Sequence, residues 1–177
     1  EVTVINRGEK RKILSVVVTP DADQQSERLE IGSVAELGRD AVKEILLQSG
    51  YWPMIMQRPY GIIARKEMTP KAIFVSGLDT APLAPDLNFL VQDQGDAIIT
   101  GLEVLKKLTD GKVHLTVGTD TTAGVLSRIK QAEVHHIEGP HPAGNVGVQI
   151  NQIDPINKGE IVWTVDLQHV AMIGRLF

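Results

Sequence analysis

Apolar positions fall into short runs separated by polar, glycine- and proline-containing breaks, and the period inside each run tells which element to expect. Residues 2–5 and 13–18 are β-branched and flank the polar stretch 6–12 with its Asn6 and Gly8. They predict a hairpin, or the last strands of a small β domain. Residues 20–30 turn acidic and polar, the composition of a linker. Next comes a helical stripe of Val34, Leu37, Ala41, Val42, Ile45 and Leu46, opened by a Ser33/Glu36 capping box and stopped at Gly50; it predicts a helix over 34–48. Residues 51–70 contain Pro53, Pro59 and Pro70 and keep no period, which reads as a connecting loop that packs its aromatics.

From residue 72 onward strand and helix alternate. Apolar runs at 72–75, 113–117 and 133–137 are each short enough for a strand. Helices are expected at 95–108 and at about 122–130. Such alternation implies parallel pairing through crossovers, hence a small Rossmann-like parallel sheet with flanking helices. After the turn residues 139–145, Val146, Val148 and Ile150 stand at strand period, and 161–165 reads as a return strand, so a β-hairpin is expected in this C-terminal part. Asp166 is placed to cap a last helix with Val170, Ile173 and Leu176 inside.

Composition narrows the chemistry. The 177 residues contain no cysteine, which removes thiolate metal sites, thiol catalysis and Cys-held iron–sulfur clusters. A formal charge of -4 without a basic face argues against nucleic acid as a partner. No eighteen-residue apolar span occurs, so no transmembrane segment is expected. There is no signal-peptide pattern, and both ends read as cut points in a longer polypeptide.

Ligands of open parallel sheets sit beyond the carboxyl ends of the strands. Those ends are 76–80, 118–122 and 138–141. The second offers amides and hydroxyls to an anion, although Asp120 repels phosphate and an ordinary helix cap explains it equally. No G-x-G-x-x-G and no G-x-x-x-x-G-K-[ST] is present, which disfavours a self-sufficient dinucleotide site. His135 and His136 project to opposite faces of a strand and cannot easily share a metal; adding His141 with Glu138 or Asp79 matches no ligand spacing. His114 and His169 have no evident partners. Ser76-Gly77 lacks the nucleophile elbow. Tyr51, Trp52 and Tyr60 near Arg58 suit either a flat ligand or loop packing.

The run Gly139-Pro140-His141-Pro142-Ala143-Gly144-Asn145-Val146-Gly147, then Ile153-Asp154-Pro155 and the tail from Val162 to Phe177, closely resembles the A subunits of sodium-translocating NADH:quinone oxidoreductases. The opening Ile5-Asn6-Arg7-Gly8-Glu9-Lys10-Arg11, Arg58-Pro59 and Asp79-Thr80-Ala81-Pro82-Leu83-Ala84 fit the same pattern. The resemblance implies that residues 1–19 end an N-terminal lipoyl-like (barrel-sandwich) β domain, and that 20–177 form a Rossmann-like α/β domain related to the flavoprotein subunit of complex I. It implies a peripheral subunit on the cytoplasmic face of the bacterial inner membrane, partnered by the pump's other subunits, with ubiquinone or menaquinone as a candidate further partner.

Relatives of that fold cradle FMN with a glycine-rich loop. Here the matching stretch, 50–65, keeps only Gly50 and Gly61 and carries Trp52, Met54 and Met56 instead. The expectation is therefore a cofactor-free scaffold or quinone-proximal domain without catalytic residues or metal, with NADH, flavins, an iron–sulfur centre and quinone handled by other subunits. Asp79, Thr80, His141 and Gly144 are the expected contacts for quinone or a partner. Two alternatives remain: a free-standing flavin- or nucleotide-binding α/β enzyme using residues 118–122, and a histidine-dependent metal hydrolase centred on His141.

Overall fold

The computed structural model describes residues 2–20, 22–23, 28–119 and 126–177. Its contacts divide the chain into two units, Glu1–Glu30 and Ile31–Phe177. In the first, β1 (Val2–Arg7) and β2 (Ile13–Val18) pair antiparallel, as their composition predicts, across a short 3-10 turn at Glu9–Arg11. Asn6 Nδ2 donates to Ser15 Oγ at 2.8 Å across the pair. Most of the expected linker belongs to this unit, and Asp21 and residues 24–27 lie outside the described residues.

The second unit is a six-stranded mixed sheet between helices. Its strands are β3 (Met56–Arg58), β4 (Ile62–Ile63), β5 (Ala72–Gly77), β6 (Lys112–Gly118), β7 (Glu133–Ile137) and β8 (Val162–Asp166), in the order β4-β3-β8-β5-β6-β7. From β8 to β7 the neighbours are parallel, while β3 runs antiparallel to both β8 and β4. Among the described residues the helices are α1 (Arg39–Gln48), α2 (Leu87–Leu90), α3 (Gly95–Lys107), α4 (Val146–Ile153) and α5 (Leu167–Leu176). β5 is buried on both faces, which is why it reads as an unbroken apolar run: Ile73 and Val75 join the larger core with α1, α3 and α5, and Ala72 and Phe74 join a smaller one with Ile150 of α4.

Three expectations are corrected. The helix over 34–48 is a 3-10 turn, Val34–Glu36, followed by α1 with Gly38 as its N-cap, and Ser33 makes no capping hydrogen bond. The break is tertiary in origin, because Lys107 Nζ donates to the carbonyls of Ala35 (3.3 Å) and Leu37 (2.7 Å) and draws them out of a continuous helix. Arg39 closes the same corner through Lys107 O and a 2.5 Å ion pair that holds the Asp110 carboxyl below its ordinary range. Residues 51–70 are more than a loop, since they supply β3 and β4. Their aromatic packing is as expected: Trp52 is buried edge-on to Trp163 at 5.5 Å and donates to Ala64 O.

The third correction concerns the expected C-terminal hairpin. Residues 146–153 form α4, and β8 pairs with β5 and β3 instead. Val146, Gln149, Ile150 and Ile153 are the inward stripe at i, i+3, i+4 and i+7, with polar Gln149 disguising it. Gln149 is fully buried; its Oε1 lies 2.7 Å from the Thr116 hydroxyl, and its Nε2 donates to Ala143 O at 3.3 Å. Thr116→Val leaves that acceptor unsatisfied and should cost about 1–3 kcal/mol. Urea titration should place Thr116→Val/Gln149→Leu closer to the parent than the single variant, since replacing both polar partners removes the orphan.

Candidate functional site

Strand order fixes where a ligand can enter. β5, β6 and β7 follow one another outward in one direction, and the chain then returns to lay β8 on the opposite side of β5. β5 and β8 end side by side, and the loop after β5 and the 139–145 turn meet beyond their carboxyl ends, the usual ligand position in this sheet type. A cleft of about 470 Å³ occupies it, with Arg58, Ser76, Asp79, His141, Asp166 and Gln168 among its walls.

Each wall is held by local chemistry. The Asp79 side chain accepts from Ala81 N at 2.8 Å and turns the chain directly after β5. Thr80 Oγ1 accepts from Gly144 N at 2.8 Å and lies 3.4 Å from His141 Nδ1, so the β5 loop and the 139–145 turn are tied together. Gly144 is required there: a Cβ would collide with Thr80 N and come within 2.9 Å of Thr80 Oγ1. Asn145 caps α4 by accepting from Gly147 N. Arg58 enters from the end of β3, its Nε buried without a hydrogen-bond partner among the described residues.

Asp79, Thr80, His141 and Gly144, far apart in sequence, thus meet at one crevice. Arg58 and Asp166 complete it, and sequence reasoning gave neither this role. The signal for both was positional, because each ends a strand beside β5 or β8. Two carboxylates facing one guanidinium leave the walls short of positive charge, and the Gly144 amide is already engaged. This arrangement suits a neutral polar ligand or a protein loop better than a pyrophosphate.

The other candidates fall elsewhere. Trp52 is a core residue and Tyr60 is 77% exposed, so the aromatics near Arg58 form no stacking site. Of residues 118–122, Asp120, Thr121 and Thr122 lie outside the described residues. A separate, largely aliphatic cavity of about 250 Å³ is lined by Val91, Ile98, Leu115, Val117, Leu126 and Leu167 among others and has no lining residue in common with the crevice. His114 and His169 do have neighbours: His114 Nδ1 lies 3.0 Å from His135 Nε2, and His169 Nδ1 lies 3.5 Å from Asp166 Oδ2. Among the described residues no helix is long and apolar enough to cross a membrane.

A family model described as the NqrA second alpha/beta domain matches residues 37–177. Over its whole length the chain is 39% identical to the A subunit of the Na(+)-translocating NADH-quinone reductase of Alcanivorax borkumensis. It is 36% identical to the same subunit from Photorhabdus laumondii and 35% identical to that from Vibrio vulnificus. The chain spans 40% of the length of each of these relatives.

Proposed function

Because this chain belongs to the family of NqrA second alpha/beta domains, we propose that it works inside the A subunit of a sodium-pumping NADH:quinone reductase, as a domain that binds neither flavin nor nicotinamide cofactor itself. NADH oxidation, electron transfer and Na+ export are then properties of the assembled enzyme, with flavins and the iron–sulfur centre in other subunits. The subunit is peripheral, on the cytoplasmic face, with residues 1–19 closing a lipoyl-like β domain. The observation that carries this reading is the match over 37–177 together with whole-chain identity to curated A subunits.

The crevice supports the cofactor-free part. In glycine-rich nucleotide sites, bare backbone amides approach phosphate. Here 50–65 packs as a 3-10 turn and hairpin around buried Trp52, and Asp79 and Asp166 line the strand ends. The same walls serve as the quinone-proximal or partner-contacting surface, where Arg58 offers a donor to a carbonyl. Titration calorimetry of the complete A subunit with FMN and with NADH should show no saturable binding. Micromolar binding of either would favour a flavin- or nucleotide-binding enzyme instead. In the assembled complex, a photoreactive ubiquinone should label peptides containing 76–87 or 139–146 if the crevice is quinone-proximal, and neither if it is only a scaffold.

A further inference from the structure

A second cluster of ligand-type side chains lies away from the crevice, on the edge strand β7 and its neighbour β6. Strand geometry assembles it. His114 of β6 is the register partner of Glu133 of β7, and His135, two residues on, points to the same face as Glu133. The side chains converge so that His114 Nδ1 lies 3.0 Å from His135 Nε2 and 3.7 Å from Glu133 Oε2, with one ligand atom from each residue within 4.8 Å of the others. We propose that His114, His135 and Glu133 bind a divalent metal ion of the zinc class.

A tetrahedral ion with bonds of about 2.0–2.1 Å holds its ligand atoms roughly 3.3–3.4 Å apart, and the separations of 3.0 and 3.7 Å bracket that value. Each separation differs from that value by roughly 0.3–0.4 Å, the adjustment the side chains must make to hold the ion. Two imidazoles and one carboxylate favour Zn2+, Co2+ or Ni2+ over the hard ions Mg2+ and Ca2+, which prefer all-oxygen shells.

The surroundings prepare the ligands. His114 is 3% exposed and its ring lies against Phe74 at 4.6 Å, which fixes its plane. Its Nε2 is buried without a partner among the described residues, so Nδ1 is the nitrogen left to serve a ligand. Burial, assisted by the neighbouring His135, holds the His114 pKa below the ordinary histidine value and keeps the ring in its neutral, coordinating form. Lys112 Nζ holds Glu133 Oε1 at 2.8 Å, which leaves Oε2 turned toward the histidines. Such hydrogen-bonding support is how proteins orient metal-binding carboxylates. Glu133 and His135 are both partly accessible, so solvent can supply the fourth ligand.

The test uses the complete A subunit stripped with a chelator. Calorimetry with Zn2+ should show one saturable site that Mg2+ does not compete for, and Co2+ should give the visible absorption of a tetrahedral centre. His135→Gln should weaken Zn2+ binding by more than about tenfold, the loss that removal of a ligand's hydrogen-bonding support alone can cause. Glu133→Gln, at an exposed edge position, repeats the test if His135→Gln does not fold. His141→Gln should change nothing. Absence of saturable binding, or binding that survives both His135→Gln and Glu133→Gln, would overturn the assignment and leave a histidine–histidine hydrogen bond.

Discussion

A Gly174→Val variant is expected to lose about 3 kcal/mol or more of the stability of the α/β unit. The cause is the crossing of α3 and α5. A Cβ at Gly174 would run into the carbonyl of Ala97 and come within 2.8 Å of Gly101 N, and one at Gly101 would run into the carbonyl of Val170. These obstacles are backbone atoms, which no rotamer change can move aside. The helices would have to separate, opening the layer where Ile98, Leu102, Val170 and Ile173 are buried. Overpacking a well-filled site costs about 1–3 kcal/mol, and a backbone collision lies at or beyond the top of that range. For a unit of this size the shift in melting temperature is roughly 10 °C. Gly32→Ala, with nothing within 4 Å, is the control and should stay within about 0.5 kcal/mol. Chemical denaturation followed by tryptophan fluorescence reads both, and a Gly174→Val midpoint equal to the parent's would refute the close crossing.

The second large effect is functional. Gly144→Val forces the 139–145 turn away from the β5 loop, because its Cβ would occupy the space of Thr80 N and Thr80 Oγ1. It also breaks the Gly144 N–H to Thr80 bond. Both segments lie beyond the carboxyl ends of the strands, outside the two cores, so the fold should persist with an unchanged far-ultraviolet spectrum. On the function proposed above, NADH:quinone turnover of the assembled enzyme should fall at least about tenfold, equivalent to about 1.4 kcal/mol in the barrier. Thr80→Val removes only the acceptor and should produce a smaller loss in the same direction. Unaltered turnover and quinone affinity in Gly144→Val would show that the crevice has no part in the enzyme's work.

The likeness of the 139–147 run and the C-terminal tail to the A subunits was legible without coordinates, because turn residues in fixed order specify a backbone path by themselves. That Asp79, Thr80, His141 and Gly144 come together was legible for a related reason, since strand ends can be read from apolar runs. Arg58 and Asp166 were harder to find. Their role depends on β3 and β8 lying beside β5, and that neighbourhood is set by pairing over long chain separations. His114 seemed partnerless for the same reason: its neighbour on β7 is 21 residues away.

Local periodicity alone determined β5, β6, β7, α3 and α5, whose stripes are long or uniform enough for burial to select one structure. Only the tertiary structure decided that 146–153 is helical, because a buried Gln149 satisfied by Thr116 counts as polar in the sequence and as core in the fold. It alone decided that 34–48 is broken at Gly38, where Lys107 competes for carbonyls, and that the crevice opens between β5 and β8. Side-chain period reports what each segment buries, whereas strand order and polar partnership depend on which distant segment does the burying.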